Sequence, residues 1–468
     1  MAPCTVGICA CPKRHHRGDF FRPAALGPRL GKMASKLIAL PYKRLHRRAP
    51  REAQTILSHL YKPTAAACRN FVFHKLPQVN IMLIQNKQIA IIGGGPSGLT
   101  LARLLQLKGA NVKVYERDLN KDARVQGSPL DMHEESGSAA LRAANLLDEF
   151  KKNIRQGADK KIIVNERAEI IFSDHDAKPL EDFANEHFRP EIDRGALRKI
   201  FLESLQPETV VWDSHFVSME KQNEGWLLHF KNGLSAYADI VVASDGANSK
   251  IRPYITDIKA FYSGFTMVEI NVYDAARVTP HIYGLLNGGK IMAFGNAKCV
   301  LGGQKGNGDL GFYASFKPDE NWATNSGLDF SDTTQVLAWF KNEYSQWSSI
   351  WYELFENAAA PVIPRPIYCM PFDQTWEALP NVTMLGDAAH VMPPFAGEGA
   401  NMAMLDALEL SECLTSDKFN TLQKAISFYE VNMRKRAAMA AKQSLENGQR
   451  MHSEGALEKM LTIFGIRR

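Results

Sequence analysis

Three stretches of this 468-residue chain carry residue types and spacings suited to chemistry. The first is Gly93-x-Gly95-x-x-Gly98, directly after the apolar run Gln88-Ile-Ala-Ile-Ile92. In such a string the first glycine permits a tight turn, the second lets the backbone approach a pyrophosphate, and the third lets a helix pack on the strand. A helix opening there offers free N–H groups and the positive end of its dipole to phosphates. Glu116 ends the next apolar run, Asn111-Val-Lys-Val-Tyr115, where an acid holds ribose hydroxyls. These residues predict a dinucleotide site, and FAD and NAD both fit the spacing. Gly302-Gly303-Gln-Lys-Gly306 is followed by no helical pattern, so one dinucleotide is expected to be held tightly. The second stretch is Asp239-Ile-Val-Val-Ala-Ser-Asp245-Gly246-Ala-Asn-Ser249-Lys-Ile-Arg252. The third is Leu385-Gly386-Asp387-Ala-Ala-His390-Val-Met-Pro393-Pro394-Phe395-Ala-Gly397-Glu398-Gly399-Ala-Asn401.

The elements that must position these residues follow from periodicity. The run before Gly93 reads as a buried strand. Leu101, Leu104 and Leu105 then keep helical spacing to Gly109, and a second strand ends at Glu116, giving a βαβ unit. Helical patterns are predicted over 133–152, 195–205, 399–413 and 421–450, and strands over 162–172, 210–212, 226–230, 239–245 and 382–385. Residues 264–316 alternate apolar and polar side chains, with turn signals at Asn287-Gly288-Gly289 and Gly306-Asn307-Gly308-Asp309, so hairpins of an antiparallel sheet are expected. The fold class is therefore α/β. A doubly wound, Rossmann-like domain (82–253 and 360–400) is interrupted by an antiparallel β-sheet substrate domain (254–359) and closed by a C-terminal helical segment (401–468) built on a long helix. A cleft between such domains is the default ligand site.

Together the three motifs resemble the class A flavoprotein monooxygenases, single-component FAD hydroxylases, over about residues 85–465. Tyr115-Glu116-Arg117-Asp118, Leu130-Asp131-Met-His133, Glu191-Ile-Asp-Arg194-x-x-Leu197-Arg198 and Gly386–Gly397 resemble the TetX-type tetracycline-inactivating subgroup. The resemblance implies non-covalent FAD, reduced by NADPH or NADH as a transient partner. One atom of O2 would pass to an electron-rich phenolic or polycyclic small molecule, tetracycline being the subgroup's substrate. It places Glu116 on the adenosine ribose, Arg117 near the adenine, and Arg194 with Arg198 on the diphosphate or ribityl chain. Asp387, after Gly386, would hold the ribityl chain. Gly397, Gly399 and Asn401 would lie beside the ring system, and Asp245, Gly246 and Arg252 would brace FAD and nicotinamide in a shared groove.

The physics agrees with these placements. Reduced flavin carries negative charge, and a glycine-rich loop opening the helix after Gly399 would aim N–H groups at it. The alternative readings, held below these, are a helix-capping acid for Asp387 and solvated charges for Arg194, Arg198 and Arg252. His133 and His390 read as structural rather than as general bases, since the cofactor performs the hard step. Val268 and Lys290 stand where the subgroup carries a Gln and an Arg that grip the drug, and Glu398 stands in place of a Gln. Lost polar donors of this kind cost ~1–3 kcal/mol when the partner is buried. Val268, Lys290, Pro394 and Phe395 are the candidate substrate-pocket residues. Met267, Phe294, Met370 and Phe372 are further apolar candidates that ordinary core explains as well. No protein nucleophile is required and no metal is expected.

Composition bounds the alternatives. Hydrophobic residues are 45% and charged residues 23%, which excludes a mainly disordered or collagen-like chain. No apolar run approaches the ~20 residues of a membrane helix. The seven cysteines, Cys4, Cys9, Cys11, Cys68, Cys299, Cys369 and Cys413, are odd in number and sparse, which argues for a reducing compartment. Residues 1–81 hold fifteen Lys/Arg against Asp19 and Glu52, a net of +13; with +6 for the whole chain, the remainder carries −7. This leader suits an organelle transit peptide, a nucleic-acid-binding arm, or a stretch outside the functional chain. The last is preferred because Met82 directly precedes the first organised segment. Cys9 and Cys11 beside His15 and His16 lack zinc-site spacing. The acidic body argues against nucleic acid. A cytoplasmic monomer is expected, mitochondrial if the leader is a transit peptide. The alternatives are an FAD-dependent dehydrogenase or reductase, a non-catalytic flavin scaffold, and a nucleic-acid-associated protein. A flavin halogenase is disfavoured because no Trp-x-Trp-x-Ile-Pro string occurs.

Overall fold

The computed structural model describes residues 83–466 apart from 124–128, 177–182 and 184–187. The expectations about the leader, Met82 and the Cys9/Cys11 group lie outside the described residues. The chain begins with β1 (Gln88–Ile92), α1 (Pro96–Leu107) and β2 (Asn111–Tyr115). Short β3 (Leu130–Asp131) leads through a π-turn at Glu134–Ser138 into α2 (Ala139–Ala143) and α3 (Leu147–Asn153). β4 (Lys161–Asn165), β5 (Ile170–Ser173), β6 (Glu191–Ile192), α4 (Arg194–Ser204) and β7 (Val210–Val211) follow. A three-stranded antiparallel sheet, β8 (Phe216–Gln222), β9 (Gly225–Phe230) and β10 (Ser235–Ala238), precedes β11 (Ile240–Ala243). The inserted segment holds β12 (Phe261–Val272), α5 (Ala275–Val278), α6 (Pro280–Leu286), β13 (Lys290–Gly295), β14 (Lys298–Gln304) and β15 (Leu310–Phe316). It continues through α7 (Trp322–Asn325), α8 (Thr333–Glu343), α9 (Tyr352–Glu356) and β16 (Ile363–Cys369). The chain then returns with β17 (Val382–Met384), α10 (Asp387–His390), α11 (Gly399–Thr415), α12 (Leu422–Met451) and α13 (Ala456–Ile463).

The parallel sheet runs β17-β11-β1-β2-β7. Its central strands β1 and β11 are nearly continuous apolar runs because both faces are covered. One core joins Ile89–Ile92 and Ile240–Ala243 to side chains of α1, α11 and α12 and to Phe216, Trp226 and Leu228 of the small sheet. From β1 the chain steps to one side through β2, whereas β11 and β17 lie on the other. The strand order therefore reverses between β1 and β11, the place where open α/β sheets bind ligands. No helix among the described residues is long and apolar enough to cross a membrane.

The larger sheet runs β16-β12-β15-β14-β13-β4-β5. It is not confined to 254–359. β4 and β5 come from within 82–253, with Ile291 opposite Ile162 in a parallel pair, and β16 comes from beyond 359. Period-2 alternation divides its side chains between two layers. Val268, Ile270, Val272, Ile291 and Phe312 pack against Phe340, Trp351 and Phe355 of the helical layer. Phe265, Met267, Ile163 and Phe294 face the other way, toward Phe395, Met451 and Met460.

Two local expectations are corrected. Asn287-Gly288-Gly289 is not a hairpin turn: it closes α6, with Asn287 in the left-handed conformation at the helix end. The helix expected over 133–152 is interrupted between α2 and α3, where Asn145 also has positive φ (58°).

Candidate functional site at the strand ends

The loops leaving β1, β11 and β17 meet. Gly93 has φ +106°, and a Cβ there would stand 2.2 Å from the Ser244 carbonyl oxygen. Ser97, in the first turn of α1, shares a 2.7 Å hydroxyl contact with Ser244. Gly386 follows β17, between Ser97 of α1 and Ala403 of α11. Gly386 thus sits against the first turn of α1 and the second turn of α11. Each helix begins at a glycine, Gly95 and Gly399, whose added Cβ would meet no heavy atom within 4 Å. Neither has positive φ, so neither a turn nor packing demands glycine there. The space fits a ligand that approaches the backbone closely, and the N–H groups make it suited to an anion.

Acidic and basic groups ring this opening. Glu116 is buried and accepts the Gly94 N–H at 2.5 Å and the Asp118 N–H at 3.1 Å. Arg117 beside it is exposed. Asp245 accepts the Lys250 N–H at 2.7 Å through Oδ2, while Oδ1 is buried without a partner. Gly246 follows with φ +80°. Arg252 is buried, and its guanidinium donates to the carbonyls of Ala389 and Asp387, each at 3.4 Å; burial lowers its pKa to about 10 despite Asp245 and Asp387 nearby. Asp387 is exposed, with Arg194 at the start of α4 also near it. Arg198 departs from expectation: its guanidinium is tied to Asp118 at 2.9 Å and to the Lys121 carbonyl, and lies over Trp212.

Beneath Gly386 lies a buried charge network that the sequence did not reveal. Asp406 of α11 accepts the Gly386 N–H at 2.9 Å, the His390 Nε2 contact at 2.5 Å, and Arg436 of α12 at 2.7 Å. Burial works against a charged His390, but Asp406 outweighs it and raises the pKa. His390 is therefore part of the support under the loop. Asn401 has a similar part: its Oδ1 accepts the N–H groups of His133 (2.9 Å) and Gly137 (3.2 Å), and its Nδ2 donates to the Asp131 carbonyl (2.9 Å) and to that of Gly397 (3.4 Å). The loop carrying Gly397 is thereby stapled to β3. On its other side Ser444 donates to the Pro393 carbonyl and Asn447 to that of Phe395, so the loop rests on α12.

Residues 378–441 match the FAD binding domain family, and residues 91–120 match the NAD(P)-binding Rossmann-like domain family. The chain is 25% identical to Monooxygenase penA of Penicillium thymicola over 80% of its own length and 97% of that protein. It is similar to the solved structure of a putative FAD containing monooxygenase from Photorhabdus luminescens subsp. laumondii, at 25% identity and a TM-score of 0.61, covering 78% of this chain and 98% of that one. These matches are to FAD-binding domains and to monooxygenases. Tetracycline destructase Tet(55) shares the chain's fold, with a TM-score of 0.64 at 17% identity over 82% of this chain and 97% of that one.

On the larger sheet the pocket candidates separate by register. Val268 is corrected: it is fully buried among Ile270, Phe312 and the helical layer, on the face turned away from Phe395. Its neighbour Met267 points the other way, as do the half-buried Met292, Leu301, Tyr313 and Ile367, which the sequence reading did not single out. Strand alternation could have found them once the buried face was known. Lys290 does not stand free: it is paired with buried Glu191, and although burial works against its charge, Glu191 and Asp131 hold its pKa up. Phe395 is buried, 5.2 Å from the ring of Phe265, whereas Pro394 is exposed. Phe294 and Met370 are core, and Phe372 is an exposed edge partner of Phe261. Among the described residues no group of three or more His, Cys, Asp or Glu is arranged to hold a metal ion.

Proposed function

We propose that this protein holds FAD non-covalently in the groove at the ends of β1, β11 and β17, and uses NADPH or NADH and O2 to hydroxylate an electron-rich phenolic or polycyclic compound. The observation that carries the reading is that Gly386 lies against the first turn of α1 and the second turn of α11, helices that each open at a glycine with free space over its backbone. Bound FAD would supply electron transfer and oxygen activation. The protein's own residues bind and orient. Gly93, Gly95 and Gly98 shape the pyrophosphate cradle, and Glu116 accepts hydrogen bonds from the ribose hydroxyls with Arg117 on the adenine side. Arg194 meets the diphosphate and Asp387 the ribityl chain. Gly397 and Gly399 offer N–H groups beside the ring, and Asn401 fixes the loop that carries them. Asp245, Gly246 and Arg252 brace the groove, where the cationic Arg252 favours an anionic nucleotide.

The substrate would lie between this loop and the Met267 face of the larger sheet. Its apolar side chains, with the Glu269–Arg365 pair on the same strand face, suit a flat, largely apolar molecule bearing a polar group. Tetracycline is the first compound to test, because the likeness to Tet(55) is one of fold. The assay is NADPH and NADH oxidation by the FAD-loaded protein with and without tetracycline, read together with product mass. Stimulated oxidation and a product one oxygen heavier support the full reading. NAD(P)H oxidation with a product two hydrogens heavier and no added oxygen would assign a reductase. A purified protein that carries no flavin and cannot be reconstituted with FAD would overturn the cofactor assignment.

A further inference from the structure

The His133 imidazole is 2% exposed and sits between two carboxylates from distant parts of the chain. Nε2 faces Asp131 Oδ2 at 3.2 Å, and Nδ1 faces Glu398 Oε1 at 3.5 Å. Asp131 ends β3; Glu398 immediately precedes α11, in the loop that opens onto the groove. A neutral imidazole has one N–H and satisfies one acid, whereas an imidazolium donates to both. The charges around the pair favour the second state. From the segment before β6, Arg189 reaches Asp131 at 4.0 Å, and from β13 Lys290, paired with Glu191, also acts on Asp131. On the turn after His133, Glu134 is engaged by Arg142. From α11 the contact is the neutral Asn401 side chain, which takes the His133 N–H. Burial opposes a charged His133, but the hydrogen bond to Asp131 and the Glu398 carboxylate facing Nδ1, which has no closer partner, prevail and raise its pKa to about 9.

We propose that His133, as an imidazolium, is a positioning residue that fastens Glu398, and with it the Gly397–Gly399 loop, to β3 and neutralises a carboxylate at the rim of the groove. This rests on the reading that the groove holds FAD. Loss of the proton leaves one N–H for two acids. Glu398, the more distant of the two, is then released as a bare carboxylate beside an anionic ligand.

The test measures FAD affinity by flavin fluorescence across neutral to alkaline pH for the wild type, His133→Gln and Glu398→Gln, with thermal unfolding of the FAD-free proteins alongside. Wild-type affinity should hold at neutral pH and fall about tenfold, the scale of one charge-assisted hydrogen bond, with a midpoint near the His133 pKa of about 9. His133→Gln should bind more weakly at neutral pH with a flat profile, and Glu398→Gln should also be flat. A wild-type profile without a step, or the same step in Glu398→Gln, overturns the proposal. If the wild type binds no FAD at any pH, the cofactor reading is what has failed, and the unfolding data then decide the clamp. A raised pKa adds stability that is complete below the ordinary histidine value of about 6.5 and is lost as pH rises through about 9. The wild-type melting temperature should therefore drop over that interval relative to Glu398→Gln, and parallel curves refute the clamp. Should His133→Gln fail to fold, the wild type and Glu398→Gln suffice.

Discussion

Replacing Gly95 and Gly98 one at a time by alanine separates a phosphate cradle from an ordinary tight turn. At Gly98 a Cβ would stand 2.1 Å from the Gly93 carbonyl oxygen, 3.0 Å from Ser244 Oγ and 3.2 Å from Ile91. The obstacle is backbone, so α1 must move off β1. Overpacking costs ~1–3 kcal/mol, and a backbone obstacle puts Gly98→Ala at the upper end or beyond. At Gly95 a Cβ meets nothing within 4 Å, and φ is −78°. Alanine is a poorer helix cap than glycine but restricts the unfolded chain; the two effects oppose, leaving a net change under ~1 kcal/mol. The same Cβ would occupy the approach to the α1 N–H groups. Loss of even one hydrogen bond to a charged phosphate is worth ~1.5–3 kcal/mol, or about tenfold or more in FAD affinity. The assays are urea unfolding of the FAD-free proteins and FAD titration followed by flavin fluorescence. Gly98→Ala should lose stability, and Gly95→Ala should lose affinity with stability retained. A Gly95→Ala protein that is destabilised by more than ~2 kcal/mol yet binds FAD like the wild type would refute the cradle.

Other expectations follow from burial and register. Val268→Ala should cost ~2 kcal/mol in urea unfolding and leave the KM of an identified substrate unchanged, whereas Met267→Ala should raise that KM; the reverse pattern would place the pocket on the other face. Asp406→Asn strips His390 and Arg436 of their buried anion and should cost ~3–5 kcal/mol, measured by the same unfolding assay. His452 is buried; its Nδ1–H donates to the Gly448 carbonyl, its Nε2 meets Ser315 Oγ and Cys299 Sγ, and burial lowers its pKa to about 4. A histidine kept neutral in this way contributes stability above its ordinary value of about 6.5 that is lost as pH falls toward about 4, by at most ~3 kcal/mol. Acid unfolding of His452→Gln should therefore be shallower over that interval, and identical curves would exclude the histidine as the cause.

The dinucleotide motif was legible because its information is local. Gly93, Gly95, Gly98 and Glu116 belong to one βαβ unit in which strand and helix periods change at the glycines, and the structure carries that unit at β1, α1 and β2. The inserted helices were less legible. Thr279-Pro280 and Asn287-Gly288-Gly289 look like loop punctuation, yet Pro280 starts α6 and Asn287 ends it. A proline at a first helical position and a left-handed residue just past a helix end are also helix signals, and short segments do not resolve the ambiguity.

What the sequence determined by itself is the α/β class, the order of the elements around the glycine motif, and the placing of a motif that fits a dinucleotide at the strand ends. Each depends on residues within a few turns of one another. Tertiary structure alone decided which groups support that chemistry. Asp406 lies beneath Gly386, Asn401 staples Gly397 to β3, and His133 lies between Asp131 and Glu398. It also decided that Met267 and not Val268 faces the loop. In a strand a shift of one residue reverses the face a side chain occupies. Contacts across hundreds of residues depend on how sheets and helices pack, which no local pattern encodes.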